Sequence, residues 1–106
     1  MWLFSKHGFF SAIEHFENAD VIHVRARFKG DLERLCAAYG LDPKVTHTPE
    51  NDYPYRMDFP RAQWVKIVAG EAESIDYYNF KNAVHDGTPR DGAYLNVWSA
   101  LRRAQG

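Results

Sequence analysis

Residues Val21 to Phe28 alternate with period two, and no other stretch limits the possible folds of this chain so tightly. Ile22, Val24, Ala26 and Phe28 fall on one side of an extended backbone, and Val21, His23, Arg25 and Arg27 on the other. One face of this strand belongs to a core; the opposite face carries two guanidinium groups and an imidazole. Tyr53 to Phe59 repeats the plan, with Tyr53, Tyr55, Met57 and Phe59 on the apolar side and Pro54, Arg56 and Asp58 opposite. Placed in one sheet, the two strands gather His23, Arg25, Arg27, Arg56 and Asp58 into one polar cluster.

The remaining segments supply partners for these strands. Phe9–His15 reads as a strand led in by Gly8, with Trp2–Phe4 as an irregular continuation. The polar run Glu17-Asn18-Ala19-Asp20 turns it into the Val21–Phe28 strand as an antiparallel hairpin. A helix follows over 31–39. Gly30 serves as its N-cap, Asp31 and Glu33 complement its dipole, and Leu32, Leu35, Cys36 and Tyr39 recur at helical spacing. Gly40 sits at the left-handed position after its end, and Pro43 prevents its resumption. Lys44 to Thr48 is a short strand, and Pro49-Glu50-Asn51-Asp52 is a turn by composition.

Pro60 opens a second helix over 61–75 whose buried stripe is Trp64, Ile67, Val68, Ala72 and Ile75. Gly70 weakens it by about 1 kcal/mol relative to Ala. Asp76 caps a short helix that buries Tyr77, Phe80 and Val84 and ends near Gly87. Asp91 caps a last one, with Tyr94, Val97, Trp98 and Leu101 on its apolar side and Arg102 and Arg103 at its C-terminus. Two β-β-α units in succession predict a single α+β domain over 1–106. Its expected core is a mixed four-stranded ferredoxin-like sheet, or a permuted relative, with helices on one face and short helices at the C-terminal end. At 106 residues, 45% of them hydrophobic and 15% aromatic, the chain can bury a core without metal or disulfide and is too apolar to be disordered.

Several short runs carry a resemblance over nearly the whole length. They are Trp2-Leu3-Phe4, Gly8-Phe9-Phe10-Ser11, Val24-Arg25-Ala26-Arg27 followed by Asp31-Leu32, Asp52-Tyr53 with Tyr55-Arg56, Asp76-Tyr77 with Asn79-Phe80-Lys81, and Val97-Trp98. In these the chain resembles a family of small single-domain bacterial proteins with no assigned activity. The resemblance implies that architecture and attaches no cofactor or catalytic residue.

The candidate ligand-binding residues are His23, Arg25, Arg27, Asp52, Tyr55 and Arg56. Planar guanidiniums on one face suit bidentate contact with carboxylate or phosphate, and Asp52-Tyr53-Pro54-Tyr55-Arg56 stands at a loop-to-strand junction. The bland interpretation pairs these arginines with Asp58, Asp52 or Glu14 as solvated sheet residues. The five histidines fit no metal-ligand spacing, Cys36 is alone, and no Gly-rich phosphate loop or Gly-x-Ser-x-Gly elbow occurs, so no metal, cofactor or catalytic residue is assigned. A single cysteine suits a reducing compartment. The apolar start is broken by Ser5-Lys6-His7-Gly8, and no run reaches membrane-span length, so a cytoplasmic protein without membrane partners is expected.

The leading expectation is a non-enzymatic interaction module. It would meet a protein partner, itself or another, through the sheet face or an aromatic surface near Trp2, Phe4 and Trp98. The alternative is an enzyme or binder for an anionic small molecule, with His23 as acid or base and the arginines stabilising charge. Single-stranded nucleic-acid binding comes third. A formal net charge of −1 requires a local basic patch for it, and the assignment of Tyr53 and Tyr55 to the core side removes two stacking rings.

Overall fold

The computed structural model describes residues 1–106 as an α+β chain in two compact units, residues 1–75 and 76–106. The first contains β1 (Trp2–Ser5), β2 (Gly8–His15), β3 (Asn18–Ala26), α1 (Lys29–Ala38), β4 (Thr46–His47), β5 (Tyr55–Pro60) and α2 (Arg61–Glu73). Its five strands form one sheet in the order β1-β2-β3-β5-β4, and every neighbouring pair is antiparallel.

Two expectations change here. The Trp2–Phe4 run is a strand in its own right, folded back on β2 through a two-residue turn at Lys6 and His7, so the sheet has five strands rather than four. The sheet is also not mixed. The Thr48 N–H donates to the Pro54 carbonyl, closing the β4–β5 loop and inserting β5 between β3 and β4. The two strands joined by α1 therefore run in the same direction without pairing.

The period-two pattern of β3 is realised. Ile22, Val24 and Ala26 are buried, and with Phe10, Ala12, Met57 and Phe59 they form the sheet side of the core. Leu32, Leu35 and Cys36 of α1 and Trp64 and Ile67 of α2 supply the helix side, so both helices cover the same face. Cys36 contacts Met57 at 3.5 Å between sulfurs, and burial pushes its thiol pKa up, which fits a packing role.

Phe28 departs from the pattern. The strand ends at Ala26, and Phe28 becomes the N-cap of α1, 40% exposed; the cap is not Gly30. Gly40 does take the left-handed conformation after the helix, with φ +65°. The stripe of α2 is also shorter than expected, because the helix stops at Glu73 and leaves Ile75 58% exposed.

In the second unit, α3 (Phe80–Ala83) is capped by Asn79 rather than Asp76, the Asn79 side chain accepting from the Asn82 N–H. Thr88 and Pro89 begin α4 (Pro89–Gln105), while Asp91 lies in its first turn and accepts from the Asp86 and Gly87 N–H groups. Tyr94 and Val84 are buried, but Leu95, Trp98 and Leu101 remain exposed. No helix is long and apolar enough to cross a membrane.

Candidate functional site

Antiparallel pairing fixes what stands on the sheet face opposite α1 and α2. Trp2 lies across from Ser11, Ser11 from Arg25, Arg25 from Arg56 and Arg56 from Thr46, so one straight row crosses all five strands. The row beside it holds Ile13, His23 and Asp58. On the other side Phe4 pairs with Phe9, and Arg27 follows two residues after Arg25 on the same strand face. Directly opposed cations on neighbouring strands repel, and Arg25 and Arg56 occupy such a pair.

Tyr53 organises the arginines. It precedes β5, and although it is only 4% exposed it lies outside the main core: its ring stands beneath Arg25 and Arg27, whose guanidinium carbons sit 4.6 and 4.1 Å from the ring centroid. Its carbonyl accepts from Arg56 Nε at 3.2 Å, and Arg27 donates to the neighbouring Asp52 carbonyl. Tyr53 was expected on the core side. The turn ahead of β5 breaks the strand parity and turns the ring to the polar face instead.

None of the three guanidiniums is paired with a carboxylate. Arg25 donates to Ser11 Oγ at 2.8 Å and leaves its Nε without a partner; Arg27 and Arg56 donate to main-chain carbonyls. The acids expected to neutralise them are engaged elsewhere. Asp58 holds His23 Nδ1 at 2.5 Å, Glu14 pairs with Arg61 at 2.6 Å, and the Asp52 carboxylate accepts from the Tyr53 N–H. A carboxylate only accepts and a guanidinium only donates. His23 therefore carries its proton on Nδ1 toward Asp58 and presents the Nε2 lone pair to Arg56, 3.5 Å away. His15 completes this corner, its Nε2 3.9 Å from the other Asp58 oxygen. His23, Arg56 and Asp58, with Lys44, Thr46 and Met57, line a cavity of about 340 Å³.

Of the six residues singled out from sequence, His23, Arg25, Arg27 and Arg56 share this face. Asp52 joins through its carbonyl. Tyr55 does not: it pairs with Ala26, packs against the core and stacks on His47 at 4.8 Å. Sequence reasoning missed Ser11 and the pedestal role of Tyr53, because both depend on which residue of one strand faces which of another.

A second polar cluster, around the β1–β2 turn, was missed entirely. Glu71 of α2 is 4% exposed and accepts from Ser5 Oγ, Tyr39 OH and His7 Nδ1, each at 2.6 Å. Burial pushes its carboxyl pKa up, but the hydrogen bonds from Ser5, Tyr39 and His7 prevail and hold it below the ordinary value. Burial and the adjacent carboxylate push the Tyr39 phenol well above its usual range. Asp31, fully buried in α1, accepts from the Phe9 N–H and from Arg34, which also reaches the His7 carbonyl.

Two glycines make room for this knot. Gly8 has φ +150°, and a Cβ there would run into the Asp31 side chain. A Cβ at Gly70 would stand 2.5 Å from the Tyr39 hydroxyl. No group of three or more His, Cys, Asp or Glu is placed to hold a metal ion.

Comparisons with known protein families, with curated proteins and with solved structures return no match.

Proposed function

We propose that this protein is a non-enzymatic binding module whose sheet face holds an anionic group, phosphate or carboxylate, between Arg25, Arg27 and Arg56. One observation carries the reading: three guanidiniums converge on Tyr53 with no carboxylate among their partners, while Asp58 and Glu14 are paired with other cationic side chains or histidine. Keeping like charges together without a counterion opposes folding, and a bound anion relieves it. Tyr53 pre-orders two of the three side chains, which lowers the entropy lost on binding. The fold reading that goes with it is a permuted ferredoxin-like sheet. In the order β2-β3-β5-β4, β2 occupies the place of that fold's last strand, and β1 is an added edge.

Titration calorimetry with inorganic phosphate, pyrophosphate and nucleotides tests the reading. Arg27→Ala should weaken binding about 10-fold or more, since a hydrogen bond to a charged group contributes about 1.5–3 kcal/mol. Absence of heat with every anion removes the proposal. A second reading, a protein contact through α4, is favoured by the exposure of Leu95, Trp98 and Leu101 at 49, 47 and 68%. It predicts that Trp98→Ala lowers self-association in sedimentation without touching anion binding.

A further inference from the structure

We infer that the anion on this face belongs to a single-stranded nucleic acid whose bases stack on the aromatic end of the same cross-strand row. The inference rests on the anion-binding reading and adds the class of ligand. Trp2 stands at the β1 edge of the row, 70% exposed and edge-on to Phe9 at 5.7 Å. Phe9 stacks on Phe4 at 4.4 Å and reaches Tyr53 at 6.4 Å, so rings run continuously from the exposed indole to the pedestal beneath the arginines. Strands lie about 4.8 Å apart, which puts Trp2 roughly 10 Å from Arg25 and roughly 15 Å from Arg56 along the row.

A ligand touching both ends must present a flat π-surface and negative charge at that separation. Free phosphate meets only the arginines. An unpaired nucleotide chain offers both groups in alternation, and unstacked bases pack on aromatic rings and on guanidinium planes alike. Arg25 and Arg27 lie over the Tyr53 ring, so guanidinium surface is held in place beside the rings. Duplexes keep their base faces covered and do not fit this arrangement. The net charge of −1 is no obstacle, because Lys44 adds a fourth cation at the margin and Asp58 is held by His23. Tyr53 supports this face from beneath the two arginines and is itself covered by them.

The test uses the full chain and fluorescein-labelled 12-mers of oligo(dT) and oligo(rU), read by anisotropy across a salt series. Blunt duplex, pyrophosphate and poly-L-glutamate serve as competitors. Three phosphate contacts predict a slope of log K against log salt of about −2 for single strands, and Arg27→Ala should reduce its magnitude by about 0.7. Trp2→Ala should weaken binding about 5- to 150-fold and leave the slope unchanged, with Trp2→Phe recovering much of the loss. Trp2 is exposed, so circular dichroism should show both variants folded.

If pyrophosphate competes as well as the oligonucleotide and Trp2→Ala binds like wild type, the nucleic-acid inference falls and anion binding stands. Equal competition by poly-L-glutamate overturns it in favour of an acidic protein partner. Equal competition by duplex overturns it in favour of backbone contact alone. No binding of any of these anions overturns both readings.

Discussion

Glu71 and Arg25 are charged side chains on opposite sides of one sheet, and their surroundings are built in contrary ways. Around Glu71 the donors match the acceptor: Ser5, His7 and Tyr39, drawn from the β1–β2 turn and the end of α1, all close on one carboxylate. Around Arg25 they do not. Arg56 stands directly across from it, Arg27 crowds the same ring, and one of its own nitrogens has no partner. A satisfied buried network rigidifies the chain and offers nothing to a ligand, whereas an uncompensated one leaves charge available for something else. The contrast teaches which cluster to assign to architecture and which to binding.

The largest effect should come from emptying the knot. Glu71→Ala takes the acceptor from the Ser5 hydroxyl and leaves Tyr39 only the Ile67 carbonyl, and it should destabilise the protein by about 1–3 kcal/mol, as an unsatisfied buried polar group does. Urea denaturation measures it. A variant that unfolds at the wild-type midpoint would show the knot to be ornamental, and the comparison would collapse.

Gly70→Ala comes next and reverses a sequence-based sign. Helix propensity alone predicts a gain of about 1 kcal/mol from this change. Because the added methyl meets a Tyr39 ring pinned by Glu71, a net loss in melting temperature is expected instead. A stabilised variant would mean that the ring moves aside freely.

Acid should act on the same cluster. The Glu71 pKa is lowered on folding, so the unfolded chain binds the proton more tightly. The stability gained this way is complete above the ordinary carboxyl value of 4.5 and is lost as pH falls through the lower folded value. Glu71→Gln should flatten the fall in stability below about pH 5. An unchanged acid limb would place the titration elsewhere.

The smallest change in stability belongs to the sheet face. Arg56→Gln removes one member of an opposed cationic pair. It should leave stability unchanged or raise it by about 0.2–1 kcal/mol, while weakening anion binding in calorimetry. Unfolding of this variant would instead make the arginines structural, with the two clusters then alike.

The alternation of Ile22, Val24 and Ala26, the Met57–Phe59 pattern and the stripes Leu32–Leu35–Cys36 and Trp64–Ile67 were legible because each records a local periodicity facing one core. They established the α+β class, the two main helices and the clustering of His23, Arg25, Arg27 and Arg56 on one face. Register was not legible. That Arg25 faces Arg56, and that Trp2 and Ser11 fall in line with them, depends on which residues of separate strands pair, and a slip of one residue reverses every face.

Nor does a pattern announce a buried Glu71 or Asp31. A carboxylate enters the interior only when donors from distant segments arrive together, and nothing within either helix shows that they will. Tyr53 and Phe28 were misplaced for a related reason: each lies just beyond a strand end, where parity no longer applies. Local sequence determined which surfaces are apolar; only the assembled sheet decided which charges would be neutralised and which left bare, because neutralisation is a property of neighbours in space.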